Sequence, residues 1–375
     1  MVPNLRFNND PYKEYNLYEF ATRITRKNKD NVSNLPLTIS AQYGLVDQVS
    51  FFNKTVASKD MSGYYLLKNG EFAYNKSYSN DYPWGAIKRL DLYDMGCLST
   101  LYICFKTNDN IVNSNYLVHY FESSKWHKQV ADIAGEGARN HGLLNIAVND
   151  FFNTKHAVPT IENQIKIAGF LDLIEERIQT QIKIINDYKL LKKYITKSFI
   201  KQKGTSYLLS EIAELGRGRV ISSAEISKQK NPIYPVYSSQ TSNNGVMGYL
   251  DNYDYEGEYI TWTTDGANAG TVYYRNGKFN CTNVCGILKI KNGYDAYYIS
   301  NILNCHTKKY VSTNLANPKL MNNVMANIKI NLPSIERQKY FSNILKAIEY
   351  RVKIEQDIKL NLVKQKVFLL KNMFL

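Results

Sequence analysis

From residue 158 to residue 200 the apolar positions keep to one face of a helix. Ile167, Leu171, Ile174, Ile178, Ile182, Ile185, Tyr188, Leu191, Ile195 and Phe199 follow one another in steps of three or four, the spacing of a helical stripe and not of a half-buried strand. No Gly or Pro falls between 170 and 203. Pro159, Thr160 and Glu162 supply start signals and Gly204 a stop. A helix of about 40 residues spans roughly 60 Å, more than a compact domain needs, so the stripe requires a partner.

The partner is predicted to be a second copy of the same segment. Residues 332–374 align with 158–200 without a gap, matching Pro159 to Pro333, Ile161 to Ile335, Glu162 to Glu336, Gln164 to Gln338, Leu171 to Leu345, Ile174 to Ile348, Glu175 to Glu349 and Arg177 to Arg351. Ile184 with Ile358, Lys192 with Lys366 and Lys197 with Lys371 continue the register. In the second copy Glu355 and Gln365 interrupt the stripe, which favours antiparallel or irregular pairing over a regular zipper. The residues expected to pair are Leu171, Ile174, Ile178, Ile185, Leu345, Ile348, Val352 and Ile358.

The flanking segments read as mixed α/β. Residues 15–24 (YNLYEFATRI) have helix spacing, and residues 36–42 (PLTISAQ) read as a short strand running into a loop. Residues 70–74 (GEFAY) and 98–105 (LSTLYICF) are rich in aromatic and β-branched residues and predict strands. Residues 116–126 predict a helix, and 135–142 (GEGARNHG) a flexible loop. The later segment repeats this plan: 207–215 echoes 15–23, 236–240 echoes 38–42, 257–259 echoes 70–72, and Thr282-Asn283 with the strand after it echoes Ser99-Thr100. The offset drifts in order, as a duplication with insertions and deletions would leave it. The organisation is domain (1–157), helix (158–203), domain (204–331), helix (332–375).

Composition and charge narrow the function. Three hundred and seventy-five residues, 44% of them apolar, suffice for two or three cores. No stretch approaches the roughly 18 apolar residues of a membrane span, residues 1–6 do not read as a signal peptide, and five irregularly spaced cysteines suit a reducing cytoplasm. The net charge of +14 points to a polyanion. The globular segments carry 17 Lys+Arg against 15 Asp+Glu and 12 against 9, and the helices 9 against 5 and 9 against 4. Most of the excess therefore rides on the helices, as a solvated basic face or as a surface for DNA or an acidic partner.

The P-x-I-E-x-Q helix starts, the helix ends rich in Lys and Phe (Lys197-Ser198-Phe199; Lys371-Asn372-Met373-Phe374), residues 259–286 (YITWTTDGANAGTVYYRNGKFNCTNVCG) and the opening VPNLRF of residues 2–7 together resemble the specificity subunits of type I restriction-modification systems over essentially the whole length. The resemblance implies two similar α/β target recognition domains separated by two long helices that pair as an antiparallel coiled coil. It further implies that each domain reads one half of a bipartite DNA target. The helices would dock methyltransferase subunits, two of them expected, and through them restriction subunits.

Base reading needs Asn or Gln for adenine, Arg or Lys for guanine, Ser or Thr for either. In the second domain Ser238, Ser239, Gln240, Thr241, Asn243, Asn244, Thr263, Thr264, Asp265 and Asn268 lie in polar loops with glycines close by. Their counterparts in the first are Ser40, Gln42, Tyr43, Asn75, Lys76, Ser77, Tyr78 and Ser79. Lys88, Arg89, Arg217 and Arg219 are expected to meet phosphate or guanine. For each loop residue an ordinary polar turn is the plain alternative, and for the four basic residues a place in the core.

Catalytic motifs are sparse. N-P-I-Y at 231–234 is a damaged N-P-P-Y amine-holding element, and D-I-A-G-E-G at 132–137 only faintly imitates a cofactor loop. No G-x-x-x-x-G-K-[ST] and no nuclease carboxylate pattern occurs. Cys281, Cys285, Cys305 and His306 have poor zinc spacing, and His119, His127, His141 and His156 form no evident constellation. A divergent adenine methyltransferase or fused restriction enzyme is the competing reading, and a helical scaffold without DNA a third. The chain is expected to be non-catalytic, with S-adenosylmethionine, ATP and Mg on partner subunits.

Overall fold

The computed structural model describes residues 12–79, 82–135, 142–200, 202–312 and 317–374. The first elements in chain order are β1 (Lys13–Asn16), α1 (Leu17–Phe20), β2 (Ala21–Arg23), β3 (Leu37–Ser40), β4 (Gly44–Asp47), α2 (Gln48–Phe52) and β5 (Tyr65–Lys68). Then come β6 (Phe72–Asn75), β7 (Ala86–Arg89), β8 (Met95–Leu98), β9 (Ile103–Thr107), α3 (Ser114–Glu122), α4 (His127–Ile133), α5 (Val148–Phe152), β10 (Lys155–Val158) and α6 (Ile161–Ile200). The chain continues with β11 (Thr205–Leu208), α7 (Leu209–Ile212), β12 (Ala213–Arg217), α8 (Ser223–Ser227), β13 (Tyr234–Tyr237), β14 (Val246–Leu250) and β15 (Tyr255–Thr263). It ends with β16 (Val272–Cys281), β17 (Cys285–Ile290), α9 (Ala296–His306), α10 (Asn322–Ala326), β18 (Lys329–Leu332) and α11 (Ile335–Asn372).

Two compact units result: Met1–Ile182 with Ile358–Leu375, and Lys183–Asp357. The division cuts through α6 and α11 and does not fall at their ends, because each half-helix packs onto the globular part beside it. In the first unit Ile167, Leu171, Ile174 and Ile178 share a core with Leu362, Leu369, Leu370 and Phe374. In the second, Phe199 joins Phe341 and Leu345. Within this second unit Lys192 ion-pairs with Glu349, and Phe199 stacks on Phe341 at 3.6 Å between ring centroids. As α6 advances α11 recedes, so the pairing is antiparallel.

Six of the expected pairing residues, Leu171, Ile174, Ile178, Ile185, Leu345 and Ile348, are buried. Val352 is half-buried. Ile358 departs from the expectation, being 39% exposed, whereas Glu355 is 3% exposed and meets Arg351 Nη2 at 2.6 Å. The face that points inward thus rotates past residue 352 to put a paired carboxylate inside and an isoleucine outside.

Each unit carries a sheet with the same strand order. In the first it is β2-β9-β6-β7, in the second β12-β17-β15-β16 extended by β13-β14. All neighbours are antiparallel except β13 with β16. A two-strand ribbon closes each domain just before its long helix, β1 with β10 and β11 with β18. Gly204 is needed in the second ribbon because a Cβ there would lie 2.3 Å from Leu332 O. The first core is aromatic, with Phe72 stacked on Phe105 at 5.3 Å and Tyr74 on Phe151 at 4.9 Å. The second centres on Ile260, Trp262, Leu288 and Tyr298.

Two local expectations fail. Residues 15–24 form not a helix but strand, single helical turn and strand: the Asn16 N–H donates to the Glu19 carboxylate at 2.6 Å, and Ala21 is already extended. The counterpart at 205–217 is built identically, with Glu211 capping Leu208. Residues 98–105 are not one strand: a turn closed by Tyr102 N–H donating to Ser99 O at 3.2 Å separates β8 from β9. The helix foreseen at 116–126 is α3, which ends at Glu122. The 36–42 strand is β3, and the 70–74 strand is β6. Of the loop at 135–142, residues 136–141 lie outside the described residues.

Candidate nucleic-acid interface

In the first unit the candidate residues occupy two loops. The β3–β4 hairpin turns through Gly44 at φ +80°. There the Ser40 hydroxyl is buried and accepts the Tyr43 N–H at 3.2 Å, leaving Gln42 and Tyr43 at the exposed tip. Beyond β6, Asn75 Oδ1 accepts the Ser77 N–H at 3.0 Å and Lys76 Nζ donates to Ile146 O at 3.4 Å. Ser77, Tyr78 and Ser79 stay exposed. The same connection carries Tyr82, whose hydroxyl reaches Ala41 O at 3.5 Å, so the two loops lie side by side.

Lys88 and Arg89 do not face solvent as free cations. Lys88 Nζ pairs with Glu122 at 3.2 Å, and Arg89 binds Asp91 at 2.6 Å and Asn115 Oδ1 at 2.7 Å, which pins β7 to α3. Arg219 is likewise taken up, by Glu225 at 2.6 Å and Asp254 at 3.0 Å. Arg217 donates to Asn322 Oδ1 at 3.3 Å and, among the described residues, meets no carboxylate. Partners at every range decide these cases, from two residues away for Arg89 and six for Arg219 to 34 for Lys88 and 105 for Arg217.

In the second unit the two candidate loops touch. Asn268 Nδ2 donates to Thr241 Oγ1 at 3.1 Å, joining residues 238–245 to residues 263–271. Several candidates serve inside this platform. Ser238, Thr263 and Thr264 are buried, with Thr264 Oγ1 donating to Val284 O at 2.9 Å. Gln240 Nε2 donates to Val246 O. Ser239 is half-buried, and Asp265 sits 3.7 Å from Lys319 Nζ. The exposed groups are Asn243, Asn244 and Asn268. Asn243 and Asn244 stand at φ +47° and +53°, followed by Gly245 at +84°, a run of left-handed residues that Asn tolerates better than most.

Beneath this turn lies a residue the sequence reading passed over. Arg275, 4% exposed, has its guanidinium 3.5 Å from the Tyr237 ring centroid and 4.4 Å from that of Tyr273. Its Nη2 donates to Asn244 O at 2.9 Å and its Nε to Thr261 Oγ1 at 3.2 Å. The available signal was an arginine inside the aromatic strand V-Y-Y-R, where a cation needs a reason to be.

Among the described residues no group of three His, Cys, Asp or Glu is arranged to hold a metal. Cys281 and Cys285 lie with their sulfurs 3.6 Å apart, both buried, while Cys305 is exposed on α9. His156 is enclosed between Tyr120 Oη and Thr154 Oγ1, and His119 Nε2 meets Asp172 at 2.7 Å. N-P-I-Y at 231–234 leads into β13. No helix among the described residues is long and apolar enough to cross a membrane.

A family model for the type I restriction modification DNA specificity domain matches residues 203–365. A type I specificity subunit of Mycoplasma pneumoniae is 39% identical over 196 residues, which is 51% of this chain and 81% of that protein. The crystal structure of the S subunit of a type I restriction-modification system from M. genitalium covers 100% of this chain and 99% of its own, with a TM-score of 0.60 and 15% identity. A chain solved for the complex assembly and conformational transition of the type I R-M system covers 96% of both, at TM-score 0.60 and 16% identity. At such identities the two structures speak for the fold.

Proposed function

Because the chain belongs to the specificity-subunit family of type I restriction-modification systems, we propose that it reads a bipartite DNA target, one half per domain, and docks methyltransferase subunits on its helices. The observation that carries the reading is the repeated strand order, β2-β9-β6-β7 and β12-β17-β15-β16, bearing different loops. One scaffold with two sets of exposed side chains suits an asymmetric site: Gln42, Tyr43, Ser77 and Tyr78 in one unit, Asn243, Asn244 and Asn268 in the other.

Docking is supported by apolar side chains left in solvent on the helices. In the first unit Leu173 is 59% and Val367 61% exposed, and in the second Leu190 is 62% and Tyr350 69% exposed. A docked subunit would cover these side chains. Two methyltransferase subunits are proposed, with restriction subunits joining through them in the cytoplasm. S-adenosylmethionine, ATP and Mg belong to those partners and the chain itself transfers nothing.

The test is to express the chain with the methyltransferase subunits of its system and map methylated adenines across the genome. A two-part motif with a fixed gap is expected, and the absence of any motif ends the reading. Methyl transfer by the purified chain alone would establish the enzyme reading instead. DNA affinity indifferent to ionic strength would favour the scaffold reading, since neutralised phosphates make affinity fall steeply with salt.

A further inference from the structure

Arg275 is a cation in the wrong place for stability alone. It is 4% exposed and, among the described residues, forms no ion pair with a carboxylate. A Met or Leu of similar volume would fill the same space without desolvating a charge. The two tyrosine faces at 3.5 and 4.4 Å offset part of that cost. What the guanidinium does there is hold a loop. Its Nη2 takes Asn244 O at 2.9 Å, and a Cβ built on Gly245 would come within 3.1 Å of the same nitrogen, so the turn closes directly onto the fork. On the other side Nε is anchored to Thr261 of β15 at 3.2 Å, which ties the turn to the sheet.

The turn so held has two consecutive L residues in the left-handed region, Asn243 and Asn244, a conformation that free chains disfavour. Both side chains point away from the core, since both residues are exposed. Asn268, tied to Thr241 at 3.1 Å, flanks them with a third exposed amide. Asparagine amides pair bidentately with the N6 and N7 of adenine in the major groove, and such pairing requires a fixed backbone.

We propose that Arg275 is a positioning residue for base reading, clamping the Asn243–Asn244 turn so that its amides meet an adenine in the half-site of the second domain. This rests on the DNA-reading function proposed above. The arginine itself need never touch the duplex; the stacking and the fork geometry make lysine an incomplete substitute.

The test uses the full chain co-expressed with its methyltransferase subunits, with methylated adenines mapped for wild type, Arg275→Met, Arg275→Lys and the double variant Asn243→Ala/Asn244→Ala. Arg275→Met is expected to relax one half of the motif by about tenfold or more in preference at an adenine position, the worth of one good amide–base pair, and to leave the other half sharp. Arg275→Lys should fall between wild type and Met, and the double Asn variant should relax the same half while leaving the core untouched. The double variant decides the matter should Arg275→Met fail to fold. A general structural role would lower methylation at every site without changing either half. That outcome, or a motif unchanged in Arg275→Met or in the double variant, overturns the proposal. If wild type marks no divided motif the underlying DNA reading falls, and this inference with it; if wild type does and the variants match it, only the role of Arg275 falls.

Discussion

Lys366 Nζ lies 2.7 Å from the carboxylate of Glu175, and the repeat makes that contact half of a reciprocal exchange. Gap-free alignment equates Glu175 with Glu349 and Lys192 with Lys366. In the first unit Glu175 of the first copy meets Lys366 of the second, and in the second unit Glu349 of the second copy meets Lys192 of the first. Two copies of one helix laid antiparallel generate such a swap, and neither a parallel pair nor two unrelated helices would.

The two ion pairs should differ in worth. Lys366 also reaches Glu122 at 2.7 Å, and its side chain is only 17% exposed. Burial tends to raise the Glu122 carboxyl, yet Lys88 and Lys366 outweigh it and hold it down to about 2. Lys366→Met would leave two carboxylates facing each other in a part-buried site and should cost about 2 kcal/mol, below the 3–5 kcal/mol of a fully buried pair. Lys192 and Glu349 are 30% and 46% exposed, so Lys192→Met should cost under about 1 kcal/mol. Denaturant titration of both variants checks the order, and equal losses would refute the assignment of burial.

The repeated glutamine of P-x-I-E-x-Q explains itself in the structure. Gln164 Oε1 accepts the Asn113 N–H at 2.7 Å while its Nε2 donates to Pro159 O at 2.8 Å. Gln338 does the same with Asp295 N–H at 3.0 Å and Pro333 O at 2.9 Å. Asn113 and Asp295 are the N-caps of α3 and α9, so each glutamine ties the start of a long helix to the start of a domain helix. Both glutamines are almost fully buried. Gln164→Ala or Gln338→Ala leaves a part-buried N–H and a buried proline carbonyl without their partner, at a cost of about 1–3 kcal/mol each. Thermal melting should show a loss for both variants, and Gln→Glu should lose at least as much, since it keeps the acceptor but sets a carboxylate against the proline carbonyl in a buried site.

Acid should destabilise the first unit before any carboxylate titrates. Burial drives the His156 imidazole down to about 4, against an ordinary value near 6.5. The folded state therefore refuses a proton that the unfolded chain accepts, and stability present above about pH 6.5 is lost as pH falls towards 4. The full span is worth about 3 kcal/mol. Glu122 adds its own loss only below about 4.5, as pH falls towards its depressed value. Denaturation midpoints between pH 7 and 5 should decline in the wild type and decline less steeply in His156→Gln, which starts lower and keeps only the contributions of His127 and His306, both also lowered by burial.

Sequence alone revealed the helices and the duplication because a three-four periodicity sustained over 40 residues has no competing explanation, and because register survives divergence. It failed where a structure is one turn long. Leu17 and Phe20 are spaced as on a helix, but extended residues flank a single turn. The equation of 15–23 with 207–215 held even though the helix label did not, since both copies make the same departure. Candidate site residues were legible as loops but not as individuals. Thr263 and Thr264 follow buried β15 positions and turn inward, Lys88 and Arg219 find carboxylates 34 and 6 residues away, and Arg275 is placed by tyrosines from two strands. Such pairings belong to the tertiary structure.

Exchange of residues 1–157 for the matching segment of a relative is the strongest test of independent reading. The segment ends just before α6 and after Ala157, whose strand β10 pairs with β1 of the same segment, so the exchange carries the whole ribbon with it apart from Val158. Residues facing α6 and α11 from the first domain include Tyr116 and Tyr120, which pack on Phe374 at 5.3 and 5.8 Å, and Glu122 with Lys366. A donor that keeps aromatic and acidic residues there should fold onto the same helix halves. Methylation mapping of the chimaera with its methyltransferase partners should then show one half of the motif replaced and the other, proposed for loops 238–245 and 263–271, unchanged. Simultaneous change of both halves would mean that the domains do not read independently, and that the exposed amides of the second platform are not sufficient to define its half.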